Sequence, residues 1–386
     1  MYKPTFFTLL CLFAASNIYA AEWTLSGSAN PSLAYDDNIF MRDGDVIGDY
    51  HAKITPTLQL AHTLENAETS LRVGYAMDRY EASRQLNTDN PFWNLNTTYQ
   101  SARSHWGLGL NYTESTSRDD AADDTGNFET NSIVITESIS PSYRYQLTER
   151  DVISVNGSYS TKEYSTTDFS NSRSRSVSSN WQHQFTERFN GGISLSASNN
   201  KSTGIANTTD DNTYNLSLTT KYNMSEIWAI NGSAGYRLLD SQQTSPFGVT
   251  VENKDTGTSL DLNIAYKGDV TTASFSLSRS IYPSSTGDVN EQDKISLSWS
   301  RNLTETLAAS INGSVQTTSS VSDNSSDKRD NINVSPSINW VFSPDASVSL
   351  SYTYRQQKES EAGTNASSQA VMLTINYDWD GFRASR

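Results

Sequence analysis

Cysteine is almost missing from this chain of 386 residues: the single one, Cys11, lies inside a segment with the marks of an export signal. Lys3 gives a positive start, Phe6 to Ala15 an apolar stretch, and Ala20 a small residue at a cleavage point. Residues 1–20 are therefore expected to be removed, leaving 21–386 as one exported domain with neither a disulfide nor a thiolate metal site. A lipobox reading of Leu9-Leu10-Cys11 competes, but no small residues precede the cysteine. Histidine is scarce too, with only His51, His62, His105 and His183, and none of them is paired with another as metal ligands are. No glycine-rich loop leads from a strand into a helix, and Glu falls mostly in turns and loops, so the sequence predicts no enzyme, no cofactor and no metal. Lys and Arg (28) are outnumbered by Asp and Glu (43), and the resulting pI of about 4.7 disfavours nucleic acid as a partner. Past the signal no run approaches the ~18 apolar residues of a spanning helix.

What is present looks at first like a soluble or disordered acidic protein, with 35% hydrophobic residues and a mean hydropathy of -0.58. Disorder is opposed by an aromatic content of 11%, including 20 Tyr. It is opposed further by strict alternation: Leu71, Val73, Tyr75 and Met77 share one parity against Arg72, Gly74, Ala76 and Asp78. The same pattern recurs at Leu260, Leu262, Ile264 and Tyr266, and at Val348, Leu350, Tyr352 and Tyr354. Short turns at Leu64-Glu65-Asn66, Thr148-Glu149-Arg150, Thr186-Glu187-Arg188, Ser225-Glu226, Gly268-Asp269, Thr304-Glu305 and Ser343-Pro344-Asp345 cut the chain into long segments. About eighteen strands result, an even number within the range of bacterial barrels. The hairpin period of about 39 residues is near that of a β-propeller, but a blade fits four short strands into that length where here two long ones fill it. A secreted sandwich or solenoid adhesin is the other soluble alternative. The fold class predicted is all-β, a transmembrane antiparallel up-and-down β-barrel, with short periplasmic turns and long outer loops at 36–50, 115–131, 202–212, 240–256 and 319–329.

Tryptophan supports this. Trp106, Trp181, Trp228, Trp299 and Trp340 lie beside short turns, and Trp23 and Trp379 begin and end the barrel on the same side, which predicts a periplasmic aromatic girdle; Trp93 alone sits toward the other rim. Pro31, Pro56, Pro141 and Pro336 fall inside predicted strands, where each removes a ladder hydrogen bond unless a bulge or a later strand start relieves it. Closure at this strand number leaves a lumen too wide for side chains to fill, and the inward parity is mostly Ser, Asn, Thr and Gly. Parity also places Lys53, Arg72, Arg144, Lys221, Arg237, Lys294 and Arg355 inside against Asp78, Asp261 and Asp378, a net basic lining that favours anions. Plain hydration and pairing with loop carboxylates explain the same residues without function. The acidity gathers in Asp36-Asp37, Asp43-Gly44-Asp45, Asp119-Asp120, Asp123-Asp124 and Asp210-Asp211, assigned to solvated outer loops that can meet lipopolysaccharide through divalent cations. Asp43-Gly44-Asp45 lacks the other ligands of an EF-hand loop.

The run Leu33-Ala34-Tyr35-Asp36-Asp37-Asn38-Ile39-Phe40, then Ile54-Thr55-Pro56-Thr57-Leu58, and the closing Tyr377-Asp378-Trp379-Asp380-Gly381-Phe382 resemble the outer-membrane β-barrel proteins found with bacterial exopolysaccharide or capsule biosynthesis loci, including those of PEP-CTERM/exosortase systems. The resemblance implies a Gram-negative outer-membrane barrel serving polysaccharide synthesis or export. Its partners would be outer-membrane lipid and lipopolysaccharide, barrel-insertion machinery, the polysaccharide and export-complex proteins. It carries no catalytic residues over. The alternatives kept open are a general or anion-preferring diffusion porin and a structural or adhesive surface barrel.

Overall fold

The computed structural model describes residues 21–205, 207–321, 328–360 and 362–385; the segment 1–20, read above as an export signal and holding Cys11, lies outside them. The chain forms one antiparallel sheet of the segments β1 (Glu22–Ala29), β2 (Ser32–Asp36), β3 (Asp49–Ile54), β4 (Thr57–Thr63), β5 (Ala67–Tyr80), β6 (Thr88–Gln100), β7 (Ser104–Thr116), β8 (Ile133–Gln146), β9 (Asp151–Tyr164) and β10 (Asn171–Gln184). It continues through β11 (Phe189–Thr203), β12 (Thr208–Asn223), β13 (Trp228–Thr244), β14 (Thr250–Lys267), β15 (Thr271–Pro283), β16 (Val289–Asn302), β17 (Leu307–Ser320), β18 (Lys328–Ser343), β19 (Ala346–Glu359) and β20 (Thr364–Ser385). β1 and β2 both pair with β20, while β4 and β3 both pair with β5, so each couple is one barrel strand in two pieces. Counted so, the sheet is a closed barrel of 18 strands.

The two faces follow the alternation. Leu195, Leu216 and Leu218 are 56%, 52% and 66% exposed on the outside, where a water-soluble sheet would leave them at a cost of ~25 cal/mol for each Å² of apolar surface and hydrocarbon removes that cost. Trp106, Trp181, Trp228, Trp340 and Trp379 are exposed on this same face near short turns or the chain's end. Trp23 stacks on His62 at 4.2 Å, and Trp299 is half-buried.

Three sequence expectations need correction. Pro31 and Pro56 do stand at interruptions, between β1 and β2 and between β3 and β4, and their carbonyls accept from Ile375 N (2.9 Å) and Tyr75 N (3.2 Å). Pro141 and Pro336, however, stay inside β8 and β18 with unbroken register: the β8–β9 pairing steps from Ile139 to Ser142, and the β18–β19 pairing from Val334 to Ser337. Each proline turns its missing N–H toward a gap in one ladder and needs no bulge. Two of the long outer loops are mostly strand. β11 ends at Thr203, paired with Thr208 at the start of β12, and β13 and β14 meet over 245–249, so Asp210 and Asp211 belong to β12.

The barrel closes where β1 meets β20. Leu25 pairs with Phe382 and Gly27 with Trp379, so Asp380 and Gly381 face Ser26 alone and form a bulge in which Gly381 has φ +64°. A Cβ on Gly381 would lie 1.5 Å from the Leu25 carbonyl oxygen. Beyond the bulge the strand runs on, with Arg383 and Ala384 paired to Thr24 and Trp23. Gly381→Ala should cost at least ~1–2 kcal/mol in backbone strain and lower the assembled fraction. The compact band of unboiled samples on a gel measures this, and a Gly381→Ala protein assembling like wild type would show that the bulge is not needed for closure.

Candidate functional site

The inner wall is built from the parity opposite the exposed apolar residues. On β5 it carries Ser70 and Arg72, and the ladder sets Arg72 beside Gln59 of β4 and Asn94 of β6. Asn94 faces Asn111 of β7, which faces Ser138 of β8, while Asn96 faces Gly109 and Gly109 faces Ser140. Together they enclose an open recess of about 400 Å³. Nearer the turns, His105, Ser142, Arg144, Ser154, Asn156 and Gln182 line a second recess of about 250 Å³.

Several of the cations expected inside are neutralised. Arg237 is buried, with Nη2 at 2.9 Å from Asp255 Oδ2 and Nη1 at 3.1 Å from Glu291 Oε2. Lys294 reaches Asp123 at 3.3 Å, and Arg355 is bound to Asp36. Lys53, Arg72, Arg144 and Lys221 have no ion pair with any described residue. Asp78 stands beside Lys53 in register but binds His51 Nδ1 at 3.0 Å, while Asp261 faces Ser233 and Ser278, and Asp378 faces Ser28. At the turn end, His183 Nδ1 meets Asp151 Oδ1 at 2.8 Å among Trp181 and Phe185, a structural pair on the outer face.

Close packing is concentrated at the loop end, across the barrel mouth. Residues 37–48 fold inward from the resemblance motif. Asp36 accepts from Ser368 Oγ (2.6 Å) and from Asn38 N (2.9 Å) as well as holding Arg355. Asn38 donates Nδ2 to the carbonyls of Arg42 (2.8 Å) and Ser367 (2.9 Å). That fixes Ile39 and Phe40, which bury themselves against Leu86. The second inward segment is 117–132, between β7 and β8. Arg118 ties it to the first through the Ile39 carbonyl (2.6 Å) and lies over Phe40 and Tyr80, while Ala121 and Phe128 cluster with Met41 and Ala366.

The second segment then crosses the lumen. With split strands counted once, β7 is the fifth strand and β16 the fourteenth, half of 18 away, yet Asp123 reaches Lys294 on β16. Asp124 accepts from Ser284 Oγ (2.6 Å) and Ser285 N (2.9 Å), and its carbonyl accepts from Arg329. The Ala122 carbonyl accepts from Asn331 (2.8 Å) and Gln316 (3.3 Å), and the Gly126 carbonyl from Gln357 (3.0 Å). Gly126 has φ +74°, and a Cβ there would lie 2.7 Å from both Arg329 Cδ and Gln357 Nε2, so the loop touches the far wall directly. From the near wall Lys162 binds Asp120 at 3.3 Å. A third link joins the connections after β9 and β15, with Ser170 N donating to the Ser285 carbonyl at 2.7 Å.

Asp119 to Asp124, expected as a solvated and self-repelling run, is therefore an anchored crossing. The signal for it was the apolar Phe128 inside a polar loop, and Ile39-Phe40 next to Asp36-Asp37.

No family model matches this chain, and no curated protein does. Among solved structures, the unliganded ferric citrate transporter FecA superposes with a TM-score of 0.55 at 13% identity, over 89% of this chain and 61% of that one. The chain thus spans 61% of FecA's length. OccAB4 of Acinetobacter baumannii gives 0.52 at 11% identity over 95% and 99% of the two chains, and the iron transporter FrpB of Neisseria meningitidis 0.51 at 9% over 92% and 81%. At such identities the likeness is one of fold, and the fold is that of the outer-membrane β-barrel.

The anchors differ in weight. Lys294–Asp123 is a partly exposed ion pair worth ~0–1 kcal/mol, whereas Asp124→Ala strips a hydroxyl and a backbone N–H of their acceptor at ~1–2 kcal/mol in all. Amide hydrogen exchange over 119–127 should therefore quicken ~5–30-fold in Asp124→Ala and less in Lys294→Ala. Equal effects would mean that the loop is held from elsewhere.

Proposed function

We propose that this protein is a non-enzymatic, narrow diffusion pore of the outer membrane that passes small hydrophilic solutes and prefers anions. The observation that carries the proposal is the 117–132 segment, bonded from one wall to the opposite one across a hydrated lumen. An unobstructed 18-strand interior would be a wide channel, and a crossing at its mouth divides that width. The preference for anions is supported by Lys53, Arg72, Arg144 and Lys221, whose charges meet no carboxylate among the described residues. Placement in the outer membrane is supported by the fold and by the exposed apolar band.

The exopolysaccharide role implied by the resemblance gains nothing from the comparisons, which favour transport of smaller cargo only at the level of shared fold. The mouth opposes that role as well: a polymer chain filling the lumen would have to displace Asp123, Asp124 and Gly126 from their partners on β16, β18 and β19 and in the connection after β15.

Planar-bilayer recording of the purified barrel should give a small single-channel conductance that rises several-fold when 119–127 is replaced by a short Gly/Ser link. The triple variant Arg72→Gln, Arg144→Gln, Lys221→Gln should move the reversal potential in a salt gradient toward zero preference. The paired variant Arg237→Gln, Asp255→Asn, which removes one charge of each sign and so keeps the net charge of the lumen, should leave selectivity in place. A silent bilayer, or a loop deletion without effect on conductance, would refute the pore.

A further inference from the structure

The inner wall is not uniformly polar. Through the middle of β10 and β11 the inward parity reads Ser172, Ser174, Ser176 and Ser178, then Ser194, Ser196 and Ser198, with carboxamides (Asn180, Gln182, Asn190, Asn200) only beyond these runs, and on β15 it reads Ser274, Ser276, Ser278 and Ser280. Those hydroxyls suffice to wet a lumen. Around Arg72 the pattern changes: Gln59, Asn94, Asn96 and Asn111 bring four carboxamides onto adjacent strands, with Ser70, Ser138 and Ser140 filling in. Amides are longer and narrow the space, so hydration alone does not ask for them in one place.

Their chemistry selects a ligand class. Each carboxamide both donates and accepts, as a sugar hydroxyl does. Asn94 Nδ2 donates to Asn111 Oδ1, and Asn111 Nδ2 donates to Thr113 Oγ1 at 3.2 Å, so these side chains are oriented before any solute arrives. Among them stands one guanidinium with no carboxylate partner among the described residues, braced over the Phe92 ring at 6.0 Å. A planar fork of donors matches a carboxylate in two parallel hydrogen bonds. Among the described residues Arg72 is the one cation in the lining, which disfavours a phosphate dianion. Its volume of about 400 Å³ falls within the ~300–1,000 Å³ usual for small-ligand sites.

We infer that the recess around Arg72 is a saturable site for a polyhydroxylated monocarboxylate of the hexuronate kind, with Arg72 holding the carboxylate and Gln59, Asn94, Asn96 and Asn111 the hydroxyls. The inference rests on the pore reading for its place on a solute's route, but binding itself can be measured without conduction. Isothermal titration of the detergent-purified barrel with galacturonate should give one saturable millimolar site, with galactose and acetate each at least tenfold weaker. Arg72→Gln should abolish it, and Arg72→Lys, which keeps the charge and loses the fork, should weaken it at least fivefold. If Arg72→Gln does not assemble, Asn96→Ala with Ser138→Ala serves instead, with a three- to tenfold weakening expected. Absence of saturable binding, acetate bound as tightly as galacturonate, or undiminished binding in these variants would overturn the site while leaving the pore to be judged by its conductance. Galacturonate binding by a barrel that does not conduct would support the site and defeat the pore.

Discussion

Everything in this structure depends on a backbone that leaves no edge. In hydrocarbon an unpaired N–H or C=O has no water to turn to and costs several kcal/mol, so a sheet survives there only by joining its first strand to its last. The β1–β20 and β2–β20 pairings make that joint, and the bulge at Asp380-Gly381 lets the last strand change register and continue. The proline placements obey the same condition. Pro31 and Pro56 sit side by side where strands already break, and Pro141 and Pro336 each open one short gap in a single ladder.

Closure creates a second demand. A cylinder of this girth cannot be filled by its own side chains, so it has no hydrophobic core of the ordinary kind. The packed apolar clusters among the described residues, Ile39, Phe40 and Leu86 in one and Met41, Ala121, Phe128 and Ala366 in the other, are built largely by inward loops at the mouth. Asp36 couples mouth and wall, since one carboxylate orders Asn38, binds Ser368 on β20 and neutralises Arg355 on β19. The loops are thus structural members, and the shape of the path is set by how they are fastened.

The wall was legible in the sequence because alternation is a local property. Leu71, Val73, Tyr75 and Met77 announce a face without reference to any distant residue, and turns such as Thr186-Glu187-Arg188 mark the ends. Strand number and the two faces followed from that. The mouth was not legible, because it is made of contacts far apart in sequence: nothing near Asp123 points to Lys294, or near Gly126 to Gln357. Asp210-Asp211 was misplaced for a related reason, as polar residues at the rim of a long hairpin look like a loop when only composition is read. Parity put Arg72 and Arg237 on one face, but the sequence held no sign that Asp255 and Glu291 cancel the second and leave the first alone.

That cancellation follows depth for all of these cations but Lys53, which stands opposite Asp78 near the loop end of β5. Arg237, Lys294 and Arg355 lie past the middle of β13, β16 and β19 as counted from the short turns, within reach of rim and loop carboxylates. Arg144 and Lys221 lie close to the turns at the ends of β8 and β12, and Arg72 between these levels on β5, beyond the acids of the mouth. In a chain with a formal charge of -15, Arg72, Arg144 and Lys221 below the loops outnumber the inward Asp261 and Asp378 there, while Asp120, Asp123 and Asp124 are engaged at the mouth in holding the crossing. At physiological salt the screening length is ~8 Å, so charges at the two levels act on a solute in turn and not together. Of the three loop-end cations, only Lys294 is matched by the crossing itself, through Asp123, while Arg237 and Arg355 are matched by Asp255, Glu291 and Asp36 from other strands and connections.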